Sequence, residues 1–319
     1  MEISSLWKCG KYCSPCLRIK TEIGHSFVTM EENKEISALF QLIDDPDEEV
    51  FGAVTTRIID YGKGIIPNLE NLWENTISEG TQERIELLIH KLHFRDLTEE
   101  FTDWKRSTHQ DLLTGALLVA KFQYPDLNTG QVFQDVEKLR RNIWLELNSY
   151  LTPLEQINVL TSILYNYFNL RGGEVNYQQV DEFLIHRQLE SKKGNNIANG
   201  ILYLILSELL DVPVKAVNIP KQFVLGYFKA EYNFENFAEQ PQYKAEFFID
   251  PMSGHVFTHK DVDNYLNRIN LPSSPSYFQP ISNKKIIQTL LLEFAKCFNA
   301  EKQLYKQAEL KLLADLIAE

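Results

Sequence analysis

Residues 191–228 read SKKGNNIANGILYLILSELLDVPVKAVNIPKQFVLGYF, and residues 244–253 read KAEFFIDPMS. In order these are a turn (191–196), an apolar helix with Ile197, Ile201, Leu204, Ile205 and Leu209 on one face, and three strands (214–219, 222–227 and 245–250). Residues 231–243 form a loop or hairpin extension between the last two strands. This layout suits a cysteine-nucleophile enzyme. A thiol at a helix N-terminus feels the positive end of the macrodipole, an imidazole on the next strand takes its proton, and a carboxylate orients the imidazole. Here the helix opens on Gly194-Asn195-Asn196, the second strand starts with Gln222, and the third ends in Asp250. Neither carboxamide is a nucleophile or a base at neutral pH. Only the carboxylate is present.

Outward from this segment the chain reads as helices. Asp111 to Ala120 forms a buried helix, and residues 132–147 form an amphipathic one with Val136, Leu139, Ile143, Trp144 and Leu147 inward. Thr152-Pro153-Leu154-Glu155 has the N-cap, N1 and N3 residues of a capping box. Arg171-Gly172-Gly173 reads as a turn, and residues 180–189 as a helix. Nearer the N-terminus, four apolar stripes (Ile36 to Ile43, Val50 to Ile59, Leu69 to Trp73, Ile85 to Leu92) predict short helices. Asp44-Asp45-Pro46-Asp47 stops one and caps the next, and this turn pattern is HEAT-like. After a short helix at 261–271 and a Pro- and Ser-rich linker, residues 283–319 form two more helices broken near Asn299. Their stripes are Ile286, Leu290, Leu291, Phe294 and Ala295, then Leu304, Ala308, Leu312 and Leu316.

Composition narrows the function. The 319-residue chain is 44% hydrophobic, with a formal net charge of −12. Such a balance argues against a nucleic-acid partner, since phosphate contact needs a basic surface. No apolar run reaches the roughly 18 residues of a spanning helix, and the N-terminus lacks a secretory h-region, so no membrane partner is expected. Four Cys, three of them close together, do not make a disulfide framework, which points to a reduced, cytoplasmic protein.

Other residues offer candidate chemistry. Cys9, Cys13 and Cys16 have the spacing of a radical S-adenosylmethionine cluster motif, and Gly172-Gly173-Glu174 echoes a second motif of those enzymes. The intervening residues read as helices instead of a β/α barrel, so the triplet is at most a weak metal candidate, with His25 as a fourth zinc ligand. Residues 1–29 match nothing that follows and read as an unstructured leader, consistent with a start assigned too early. His186, His255 and His259 could stand in for the missing imidazole, against the alternative of surface or turn histidines. Lys192-Lys193 reads as a solvated turn, and Cys297 as a small core residue. No cofactor is expected.

At these residues the chain resembles the SirB-type transglutaminase-like/tetratricopeptide-repeat proteins of bacteria. The likeness runs through residues 112–143 (LLTGALLVAKFQYPDLNTGQVFQDVEKLRRNI), 147–190, 191–228, 247–266 and 277–298, over roughly residues 35–319. The resemblance implies an α+β, predominantly helical fold: a papain/transglutaminase-like core with a small antiparallel sheet, flanked by HEAT-like and tetratricopeptide-like helices. The implied divisions are a 1–29 leader, a 30–97 HEAT-like region, a 98–271 transglutaminase-like domain, and a 272–319 linker and helical pair. The superfamily Cys-His-Asp falls on Asn196, Gln222 and Asp250. The SirB-type proteins commonly lack the Cys but often keep the His, so Gln222 is the further departure. The expected function is non-catalytic: a regulatory module that binds a protein or peptide in a cleft of Gly194, Asn195, Asn196, Gln222 and Asp250. The alternative is a hydrolase or amide-processing enzyme using Asp250, a nearby His and a water.

Overall fold

The apolar residues of 197–206 cover the whole circumference of one helix, so that helix must be enclosed on every side. A computed structural model describes residues 30–231 and 242–318. It places this helix, α9 (Asn196–Leu209), at the centre of a core, with Ile197, Ile201, Leu202, Tyr203, Ile205 and Leu206 all buried. The three N-terminal cysteines and His25 lie outside the described residues, as does most of the segment read as a loop between strands.

Contacts divide the chain into two units, up to Leu88 and from Ile89. The described part of the first holds α1 (Met30–Gln41), α2 (Glu48–Asp60), α3 (Ile66–Asn75) and the start of α4 (Glu79–Arg106). The acidic turn works as its sequence suggests. Asp47 caps α2 by accepting from Glu49 N, and Pro67 occupies the first turn of α3. Arg84 reaches back from α4 to donate to the carbonyls of Ile43 and Asp45, while its guanidinium lies over the Phe51 ring. Ile43, Ile58, Leu69 and Leu88 are fully buried there.

The second unit contains α5 (Leu112–Gln123), α6 (Thr129–Glu146), α7 (Pro153–Thr161), α8 (Ile185–Ser191), α9, α10 (His259–Arg268), α11 (Asn283–Ala295) and α12 (Leu304–Leu316). The capping box at Thr152 and Glu155 is present in full. A π-helical turn, Ser162–Tyr167, continues α7. Four antiparallel strands follow α9 in the order β3 (Val214–Val217), β4 (Val224–Glu231), β5 (Gln242–Ile249) and β6 (Val256–Phe257). Alternation along the strands gives the sheet two apolar faces. Ala216, Leu225 and Ile249 join the α9 core. Val217, Val224 and Phe248 meet Val262 and Leu266 of α10 in a second core. α11 and α12 belong to the α9 core through Ile287, Leu291, Phe294, Leu310 and Leu313.

Several details differ from the sequence reading. Arg171–Gly173 is not a turn but a short strand, β1, parallel to β2 (Lys193–Asn195) inside the expected 191–196 turn. Three-residue strands carry too little alternation to be read. Residues 180–189 divide into a 3-10 turn and α8. Trp144 is 61% exposed, not inward, because its angular position on α6 departs from the buried Val136, Leu139 and Ile143. On α12 the buried set is Leu310, Leu313 and Ala314, followed by Ile317 at the C-cap, while Leu304 and Leu312 are exposed. A strict four-residue spacing drifts around a 3.6-residue helix and leaves the buried face. Among the described residues, no helix is long and apolar enough to cross a membrane.

Candidate functional site

The start of α9 is built from buried amides. Asn195 is fully buried and caps the helix, its Oδ1 accepting from Ile197 N at 3.0 Å and Ala198 N at 2.9 Å. This leaves Asn196 as the first helical residue. Behind it, Gln188 of α8 donates to Asn199 Oδ1 at 2.6 Å, with both side chains fully buried. Gly194 is required beside this pair, since a Cβ there would meet Asn199 Oδ1 and lie 2.9 Å from Gln188 Nε2. Gln188 Oε1, Asn199 Nδ2, Asn195 Nδ2 and Asn196 Oδ1 are buried without a partner among the described residues. Buried polar groups are almost always paired in native proteins.

Gln222 stands two residues before β4. Lys221 adopts a left-handed conformation (φ 62°), and Gln222 N donates to the Ile219 carbonyl, closing a turn where a strand was expected to begin. Tyr265 of α10 donates to the Pro220 carbonyl at 3.0 Å and holds that turn from the other side. Asp250 follows the last residue of β5. Its Oδ1 accepts from Met252 N at 3.0 Å, and its Oδ2 accepts from Ser253 Oγ at 2.7 Å. Its carbonyl accepts from Gly254 N, whose φ of 73° suits only glycine at low cost. Tyr165, in the π turn, donates to the Pro251 carbonyl at 2.7 Å. Burial pushes that phenol's pKa well up, with the charges of Tyr203 and Asp250 adding to it.

Asn196, Gln222 and Asp250 line one cleft of about 240 Å³. Its other walls include Phe223, Val224, Met252, Phe257, Asp261 and Tyr265. Gly194 and Asn195 lie beneath the cleft, buried, and do not line it. Their part is to seat the helix start.

No histidine lines the cleft among the described residues. His259 packs its ring on Phe248 and Phe278, with centroids 4.9 and 5.5 Å apart. His255 accepts Asp250 N on its backbone carbonyl, not its ring. His186 is neither a surface nor a turn residue: it is buried edge-on against Tyr124, and burial lowers its pKa. No imidazole lines the cleft beside Asp250 among the described residues, and each oxygen of that carboxylate accepts one hydrogen bond from its own turn. Cys297 is half-buried against the core, and burial pushes its thiol up to about 12, which suits a packing residue. No group of three or more His, Cys, Asp or Glu among the described residues could hold a metal ion.

Sequence reasoning missed several residues that shape the cleft. Gly200 of α9 lies under it: a Cβ there would collide with Phe223 Cε1 and sit 2.7 Å from Phe223 Cδ1 and 3.3 Å from Pro251 Cβ. A lone glycine inside an apolar helix was the available signal, since such a residue usually marks close packing. Gly172 likewise admits the Met252 backbone, 2.6 Å from where a Cβ would stand. Asp261 and Tyr265 gave no signal, because α10 meets the cleft only through the fold.

Residues 130–292, a span that contains Asn196, Gln222 and Asp250, fit the family described as the transglutaminase-like superfamily. The chain is also similar to UPF0162 protein BU173 of Buchnera aphidicola subsp. Acyrthosiphon pisum (strain APS), with 22% identity over 171 residues. That alignment covers 52% of this chain and 59% of the relative, so the chain spans less than two thirds of the curated relative it matches. No solved structure matches the chain.

Proposed function

The chain belongs to the transglutaminase-like superfamily, and on that premise we propose that it is a non-catalytic member that binds a protein or peptide in the cleft at the start of α9. The observation that carries this reading is the cleft's composition. Two carboxamides, Asn196 and Gln222, share one cavity with Asp250, and in this reading they stand in for the nucleophile and the base. Carboxamides donate and accept hydrogen bonds but cannot form a thioester or take a proton at neutral pH. Apolar walls with a few convergent polar groups suit recognition. Within this reading the protein is of the SirB type, bacterial, cytoplasmic and regulatory. The helices before and after the central domain are HEAT-like and tetratricopeptide-like pairs that help grip the partner.

The test is affinity capture from native lysate with wild type and with Asn196→Leu plus Gln222→Leu. A partner held by wild type and lost from the double variant supports the reading. An unchanged set of captured proteins removes the cleft from it. Turnover of amide substrates by the wild type would overturn the non-catalytic part.

A further inference from the structure

The charge and shape of the same cleft narrow its occupant. It carries two carboxylates, Asp250 and Asp261, and among the described residues no Lys, Arg or His lines it. The oxygens of both acids with known partners accept from neutral donors. For Asp250 these are Met252 N and Ser253 Oγ, and for Asp261 they are Thr258 N and Oγ1, both at 2.8 Å. A carboxylate oxygen has two acceptor sites, so acceptor capacity remains at each. Lys260 and His255 lie close enough to Asp261 to favour its charged form, and Lys221 flanks Gln222, but none of the three lines the cavity. An anionic guest would face two like charges; a cationic guest would face two opposite ones.

Shape decides between cations. A volume of about 240 Å³ falls below the roughly 300–1,000 Å³ of pockets for drug-sized molecules, so the cleft fits one long side chain. Its lining includes two aromatic residues, Phe223 and Phe257, beside Met252, Val224 and Val262. A guanidinium is planar, weakly hydrated, stacks on aromatic faces and donates in a fork to carboxylates, whereas an ammonium is a strongly hydrated point charge. We propose that the cleft binds an arginine side chain presented by the partner. The carboxamides of Asn196 and Gln222 would bond the adjoining peptide. This inference rests on the binding reading above and names the chemistry recognised.

The test titrates the full chain with N-acetyl-arginine amide and with its citrulline and glutamate counterparts, following the methyl resonances of Met252, Val224 and Val262. The expected result is shifts confined to those methyls, with citrulline and glutamate bound about tenfold more weakly or worse, the scale of losing charged hydrogen bonds. Asp261→Asn, which keeps a side chain able to cap α10, should erase the preference for arginine over citrulline while circular dichroism stays the same. Equal binding of arginine and citrulline, tighter binding of glutamate, or no methyl shift with the arginine probe overturns the proposal. If the probe fails while the Asn196→Leu plus Gln222→Leu variant still loses a captured partner, the arginine inference falls and the binding reading stands. If both fail, both fall.

Discussion

Replacing Gly200 by alanine should destabilise the second unit, although alanine is the better helix former. In an open helix interior, Gly→Ala gains about 0.5–1 kcal/mol. At Gly200 the added methyl would collide with Phe223 Cε1 and lie 2.7 Å from Cδ1, where carbon atoms at rest sit about 3.5–4.0 Å apart. The ring must retreat by roughly an ångström. Pro251 Cβ, at 3.3 Å, limits movement on the other side. Overpacking of this kind costs about 1–3 kcal/mol. With contacts this close the cost lies in the upper part of that range, about 2–3 kcal/mol, and set against the helix gain the net loss is about 1–2 kcal/mol. For a unit the size of Ile89–Glu319 that lowers the melting temperature by about 2–8 °C, at roughly 2–4 °C per kcal/mol. Calorimetry on the wild type, Gly200→Ala and Gly52→Ala makes the comparison. Gly52 lies in α2 with nothing within 4 Å of its would-be Cβ, so it reports propensity alone. A melting temperature for Gly200→Ala equal to or above wild type would refute the argument that this glycine exists to seat Phe223 and the Asp250 turn. Because Phe223 is a cleft wall, the same variant should weaken whatever binds there.

Gly194→Ala should push Asn199 and Gln188 apart and leave a buried amide unpaired, a loss of about 1–3 kcal/mol. A urea midpoint that does not fall would contradict it. In a variant with Cys9, Cys13 and Cys16 changed to serine, the Cys297 thiol, pushed up to about 12 by burial, should react with a thiol reagent at pH 8 far more slowly when folded than in denaturant. Equal rates would show an accessible thiolate. Arg140 and Arg141 hold the Glu137 carboxyl at about 2, below its ordinary 4.5. Its folded pKa is depressed, so its contribution to stability is full above pH 4.5 and fades as pH falls toward 2. That contribution is small at so exposed a site. Titration of the Glu137 carbon resonance in wild type and Arg140→Gln checks the sign: the variant should titrate nearer 4.5.

Much of the fold is local and so was readable in the chain. The caps at Asp47 and Thr152, the proline at the head of α3 and the unbroken apolar circumference of α9 each depend on residues within a turn or two of one another. The same holds for the order helix, strand, strand, strand and for the carboxylate at the end of β5. The carboxamides Asn196 and Gln222 were legible too, because they stand at positions set by that order. The tertiary structure decided whatever depends on approach between distant segments. It brought Asn196, Gln222 and Asp250 to one cavity, buried Asn195 and Gly194 beneath it, and added Asp261 and Tyr265 from a helix with no sequence signal for the site. It packed the His259 ring on Phe248 and Phe278 and engaged the Asp250 carboxylate in the turn after β5. It also gave Gly172, Gly200 and Gly254 their reasons, which lie in backbone and side chains 23 to 93 residues away: Phe223 for Gly200, Met252 for Gly172 and Thr161 for Gly254. A glycine's sequence neighbours cannot show what would strike its missing methyl; only the packed neighbour can.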